Sequence, residues 1–117
     1  MLRIYVYSKC GTCRKALKRL HEKGLDYEEI PIRDTPPKKS ELVRMLAHYE
    51  GDMRRLFNTS GGDYKVLNLK DKLPTLTAKE AIDLLASNGN LIKRPFVLGQ
   101  DISLVGFKEE EWSAAGI

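Results

Sequence analysis

An apolar and aromatic run at residues 2–7 (LRIYVY) reads as a buried strand, and only two residues separate it from Cys10-Gly11-Thr12-Cys13, which opens a helically spaced segment. A strand that hands the chain directly to a helix commits this end of the molecule to an α/β layer. The same junction delivers two thiols to the first turn of a helix. They are the only cysteines among 117 residues, so any sulfur chemistry runs through this pair or through a partner.

A chain of 117 residues supports one domain with a real core and is too short for two of ordinary size, so a single domain over residues 1–117 is expected. Hydrophobic residues at 42% and charged residues at 31% exclude a disordered or membrane-embedded chain. No uncharged apolar stretch approaches the roughly 18 residues of a spanning helix, and Met1 leads into the strand without a signal-peptide segment. A cytoplasmic protein with no membrane partner is expected. A close dithiol is kept largely reduced there, so the pair reads as catalytic or metal-binding rather than as a structural staple.

The net charge of +4 is unevenly placed: residues 1–60 hold 13 lysines and arginines against 8 carboxylates, and residues 61–117 hold 7 against 8. The thiol-bearing half is therefore the one suited to anionic substrates or an acidic protein face. Arg14, Lys15, Lys18 and Arg19 also fit a solvated helix face. Direct nucleic-acid binding has no motif behind it, nor basic residues interleaved with aromatics.

The organisation reads as β-α-β, a helical middle, then β-β-α. Residues 11–23 form a helix with Ala16, Leu17 and Leu20 inward, stopped by Gly24. Residues 26–32 (DYEEIPI) form a second strand in which Pro31 marks an end or an edge, and the short crossover favours a parallel pair. The helical middle covers about residues 36–88. Its spacing puts Leu42, Met45, Leu46 and Tyr49 on one face, with helical pieces at 52–57 and 63–69 around a 58–62 loop. A capping box at Thr77-Ala78-Lys79-Glu80 then starts a helix that Asn88-Gly89-Asn90 ends. Residues 96–99 and 102–106 form a hairpin about Gln100-Asp101, and residues 108–114 a short helix with three glutamates and Trp112.

A thiolate at a helix N-terminus is stabilised by unpaired backbone N–H groups and the positive end of the dipole, and Lys9 and Arg14 add charge on either side. Cys10 is therefore expected to be the lower-pKa nucleophile. Cys13, one turn inside, is less exposed but close enough to attack a mixed disulfide at Cys10, so the pair is expected to close a redox-active disulfide. Gly11 and Thr12 permit that approach. Zinc normally needs four ligands, and only His21 and His48 could join the cysteines from different helices, so no metal site is expected. Pro95, directly before a strand, is a candidate cis-proline whose backbone would pair with an extended substrate. Arg94 beside it reads equally as an anion clamp or as a surface ion pair.

The motifs YSKCGTCRKAL, LFNTSGGDYKVLNLKDKL, LIKRPFVLG and VGFKEEEW together resemble the arsenate reductase (ArsC) family of glutaredoxin-like proteins, which includes Spx-like regulators. The resemblance covers almost the whole chain. It implies an α/β thioredoxin-like fold with a four-stranded mixed sheet and a helical insert, and a catalytic site of Cys10, Cys13 and Arg94 before a cis Pro95. Lys9, Gly11, Thr12, Arg14, Asn58 and Pro95 would contact substrate. Arsenate reductases carry one cysteine in this loop, with serine where this chain has Cys13, and bind the oxyanion with three arginines. Here only Arg94 is in place: Asn58 stands near a second position, and the third region reads Leu104-Val105-Gly106-Phe107. These departures favour a thiol-disulfide oxidoreductase over an arsenate reductase. No tightly bound cofactor is implied; glutathione would be a co-substrate, with glutaredoxin or thioredoxin as thiol partners. The retained pair is also similar to the redox switch of Spx-like regulators, which implies RNA polymerase as the alternative partner, although the chain ends soon after the last helix, without the tail such regulators carry.

Overall fold

The computed structural model describes residues 1–117, which divide into two compact units: Met1–Pro31 with Arg94–Ile117, and Ile32–Lys93. The first is built on a four-stranded mixed sheet. Strands β1 (Leu2–Val6), β2 (Tyr27–Pro31), β3 (Phe96–Leu98) and β4 (Ser103–Val105) lie in the order β2-β1-β3-β4. β1 pairs parallel with β2, Leu2 opposite Tyr27, and antiparallel with β3, Tyr5 opposite Phe96. β3 and β4 form the expected antiparallel hairpin.

The central position of β1 explains its apolar run, which only Arg3 interrupts. Alternate side chains Leu2, Ile4 and Val6 join Cys13, Ala16 and Leu20 of helix α1 (Gly11–Glu22) in one buried cluster, with Val97, Leu104 and Trp112. Tyr5 faces the other way and meets Phe96 edge-on at 5.7 Å. Helix α1 ends where expected: Gly24 takes a φ of +66°, which lets the Leu25 N–H reach the Leu20 carbonyl at 3.1 Å. β2 lies at the sheet edge with Pro31 as its last residue, so the missing proline N–H costs no ladder bond inside the sheet. The terminal helix (Glu109–Ala114) seats Trp112 with no exposed surface, its indole N–H donating to the Gly106 carbonyl at 3.1 Å. The Arg19 guanidinium donates to the Ile117 carbonyl from Nε (3.1 Å) and Nη2 (2.6 Å), which ties the final residue to α1.

The second unit is helical. Numbered on from α1, it contains α2 (Lys39–His48), α3 (Gly62–Val66), α4 (Leu69–Lys72) and α5 (Ala78–Ser87), joined by 3-10 turns at Met53–Leu56, Leu73–Thr75 and Gly89–Leu91; the terminal helix is α6. The capping box read at Thr77 is present: the Glu80 N–H donates to Thr77 Oγ1 (3.1 Å) and the Thr77 N–H to Glu80 Oε1 (2.9 Å). The helical piece expected over residues 63–69 is instead broken. Asn68 takes a φ of +53°, and the chain restarts as α4 with Leu69 buried. Asn88-Gly89-Asn90 does more than stop α5. Asn88 Nδ2 (3.0 Å) and Asn90 Nδ2 (3.2 Å) both donate to Asp63 Oδ2, and these bonds, that from Asn88 first, hold the Asp63 carboxyl below its usual range.

Candidate functional site

Cys10 closes the loop after β1 and is the N-cap of α1: its backbone is extended (φ −94°, ψ 113°) and its N–H donates to the Tyr7 carbonyl at 3.0 Å. An N-cap side chain faces the N–H groups that the first turn leaves unpaired, and here Cys13 N–H donates to Cys10 Sγ at 3.3 Å. Oxygen-bearing residues normally hold that position. A sulfur in their place leaves a half-exposed, hydrogen-bond-accepting thiol at the mouth of the helix.

Cys13 is different in kind. It is 1% exposed, and burial pushes its thiol from 9.0 up to about 12, helped by its hydrogen bond with Cys10 and by charge on Cys10. A hydrogen bond to the Tyr7 backbone and the nearby Arg94 charge oppose the rise. The expected Cys10–Cys13 disulfide is not formed in this structure: both are free thiols.

Arg94 enters from the start of β3, across a cis Arg94–Pro95 peptide as the sequence suggests. Its guanidinium carbon lies 5.0 Å from the centroid of the Tyr7 ring, a cation–π contact, and Nη1 is buried without a hydrogen-bond partner. A buried donor left unpaired costs about 1–3 kcal/mol, which an anionic acceptor would recover. The structure thus brings Cys10, Cys13 and Arg94 together around Tyr7, which in the sequence reads only as the end of a strand. Its position three residues before the N-cap was the available signal, because its carbonyl closes the turn that carries Cys10.

The remaining candidates divide. Lys9, Gly11, Thr12 and Arg14 are exposed around Cys10. Gly11 is not needed for its small size, since an added Cβ would meet nothing within 4 Å. Pro95 is buried, its carbonyl accepting from the Gly106 N–H at 2.9 Å. Asn58 belongs to the helical unit, where its N–H donates to the Leu91 carbonyl at 2.7 Å and its side-chain amide fills the space beside Gly61. His21 and His48 are both exposed, and no three His, Cys, Asp or Glu side chains gather where they could hold a metal ion.

A family model described as the ArsC family matches residues 5–115, a span that includes both thiols and Arg94. The chain belongs to the ArsC family. It is 47% identical over 111 residues to the uncharacterised protein YusI of Bacillus subtilis (strain 168), covering 95% of this chain and 94% of that one. The crystal structure of a possible arsenate reductase from Streptococcus mutans UA159 is 40% identical and superposes with a TM-score of 0.88, covering 97% of this chain and 98% of that one. The global transcriptional regulator Spx of Streptococcus pyogenes serotype M1 is 28% identical over 111 residues, 95% of this chain and 81% of its own. The ArsC-family chain therefore has the thioredoxin-like fold that its motifs imply.

Two expectations follow from the unequal environments of the thiols in this ArsC-family site. Brief iodoacetamide treatment at neutral pH should label Cys10 at least about tenfold faster than Cys13, because only Cys10 is accessible and Cys13 is held protonated. Peptide mass spectrometry reads the ratio; equal labelling would contradict the assigned environments. The second concerns stability. A thiol whose folded pKa is raised above its unfolded value stabilises the fold fully below the unfolded value, and that contribution is lost as pH rises toward the folded one. For Cys13 the window runs from 9.0 to about 12. Urea denaturation at about pH 8 and about pH 10.5 should show wild type losing more stability than Cys13→Ala over that interval. Parallel losses would show that Cys13 does not titrate abnormally.

Proposed function

We propose that this ArsC-family protein is a cytoplasmic thiol-disulfide oxidoreductase, in which Cys10 attacks, Cys13 resolves and Arg94 holds the anionic or sulfur partner. The observation that carries the reading is the division of labour between the two sulfurs: one half-exposed at a helix N-cap, the other buried, protonated and hydrogen-bonded to it.

In the first step the Cys10 thiolate attacks one sulfur of a substrate disulfide, forming a mixed disulfide, and the other substrate sulfur leaves as a thiolate. Once Cys10 is tied up in this way, its charge and its acceptor capacity no longer raise the Cys13 pKa, whereas Arg94 and the Tyr7 backbone still lower it. Cys13 then loses its proton to the departing thiolate and attacks Cys10 Sγ. A Cys10–Cys13 disulfide forms and the second substrate sulfur is released as a thiol. Glutathione, glutaredoxin or thioredoxin returns the pair to the dithiol in two exchange steps. Arg94, with a buried N–H lacking an acceptor, suits the negative charge of the attacking and leaving sulfurs.

NADPH oxidation coupled through glutathione and glutaredoxin, or through thioredoxin, tests the reading. Protein-dependent turnover of a small disulfide is expected, and turnover of arsenate but of no disulfide would overturn the choice of substrate. A second reading is supported by the Spx relative and the retained cysteine pair: a redox-sensing regulator that docks on RNA polymerase. Retention on immobilised polymerase that depends on the oxidation state of the pair, with no turnover in the coupled assay, would favour it.

A further inference from the structure

Helix α1 complements its dipole only at its far end, where Arg19 and His21 lie in the last turn. Acidic side chains favour the positive end of a helix dipole, yet the first turn of this 12-residue helix holds none; Arg14 closes that turn and Lys15 opens the next. Arg14 and Lys18 are spaced i,i+4 and Lys15 and Lys18 i,i+3, so like charges face each other on the exposed side. Between Met1 and His21 there is no carboxylate at all; the first is Glu22, 3.9 Å from Lys18. The positive strip therefore starts at Lys9, passes the exposed side of Cys10 and runs along α1 to Lys18.

Its length excludes a small anion as the only ligand that it serves. At 1.5 Å per residue, Lys18 lies about 12 Å along the helix from Cys10, beyond the reach of any oxyanion seated on the sulfur. At its far end the strip borders a shallow groove of about 320 Å³, where Lys15 and Lys18 face half-buried Phe107, with Glu22 and Glu109 also on its walls. A strip of cations with one aromatic foothold matches an extended polypeptide that alternates carboxylates with an apolar side chain.

Building on the oxidoreductase reading, we propose that the exposed face of α1 from Cys10 to Lys18 is the docking strip for an acidic polypeptide that presents its disulfide to Cys10. The substrate class is thereby a protein disulfide in an acidic segment. The exchange itself is unchanged: the Cys10 thiolate forms a bond to the near sulfur and the far sulfur leaves with the electron pair.

The probe is a pair of peptides of equal length, one with glutamates and one with lysines around a single cysteine, each activated as a 2-pyridyl disulfide so that attack by Cys10 releases thiopyridone. At low salt the acidic peptide should react at least about tenfold faster with the reduced wild-type protein, and the gap should close at about 0.5 M salt. In Lys15→Glu/Lys18→Glu the ratio of the two rates should fall to near one or invert. Equal rates for both peptides with wild type would overturn the proposal. So would a preference that survives the double charge reversal, which would place the selectivity at the sulfur itself. Dipyridyl disulfide, small and neutral, separates the two levels: no thiopyridone release from wild type would refute Cys10 as a nucleophile, whereas release with equal peptide rates would refute only the docking strip.

Discussion

Cys10→Ser should abolish disulfide turnover, with a fall of at least about 1,000-fold, because a hydroxyl at the same N-cap would still accept the Cys13 N–H but would not attack sulfur at neutral pH. The hydrogen-bond geometry makes serine a mild change for the fold, since serine is itself a favoured N-cap. Loss of activity with an unchanged unfolding midpoint is therefore the expected pair of results. Cys13→Ser should behave differently. The first exchange still proceeds, the mixed disulfide at Cys10 is not resolved internally, and the adduct accumulates as a mass increase equal to the substrate thiol less two hydrogens of the joining sulfhydryls. Equal loss in both variants without an adduct in Cys13→Ser would remove the resolving role from Cys13 and leave a one-thiol mechanism.

The largest effect on stability is expected at Gly89, far in sequence from either thiol. A Cβ built there would stand 1.9 Å from the Ile32 carbonyl oxygen and 2.8 Å from its carbon, both backbone atoms that cannot swing aside. Gly89→Ala must push apart the ends of the helical unit at a buried position, at a cost of about 3 kcal/mol or more. Gly62→Ala is the control. An added Cβ at Gly62 meets nothing within 4 Å, so its urea midpoint should stay within about 0.5 kcal/mol of wild type in free-energy terms. A Gly89→Ala protein as stable as that control would show that the close approach to Ile32 is not maintained in solution.

The same glycine shows where reading the sequence stops. Asn88-Gly89-Asn90 is recognisable as a helix stop, because capping and turn chemistry act over three or four residues. That Gly89 must be glycine on account of Ile32, and that both asparagines hold Asp63, depends on pairs 25 to 57 positions apart. The break at Asn68 was hidden for a related reason. Residues 63–69 have helical spacing throughout, and only the burial of Leu69 and Leu73 by the rest of the unit favours a left-handed residue over another helical turn. In the candidate site, the sequence marks Cys10 as the exposed sulfur and Cys13 as the inner one, since one is an N-cap and the other lies a turn inside on the apolar stripe with Ala16 and Leu20. Spacing alone leaves Arg94 even between clamp and surface pair. The Tyr7 contact and the buried, unpartnered Nη1 now place it inside the thiol cluster.

By itself, then, the sequence determined what short-range forces decide: the apolar run that makes β1 a buried strand, the glycine stop after α1, the capping box of α5, and the delivery of two thiols to one helical turn. Each depends on residues within one or two turns of each other, so local spacing carries the information. Only the tertiary structure decided how far burial raises the Cys13 thiol, that Arg94 stacks on Tyr7, and that Gly89 packs on the Ile32 carbonyl. These are consequences of desolvation and of contacts at van der Waals distance between remote segments, where a shift of 1 Å changes the energy by more than any local propensity.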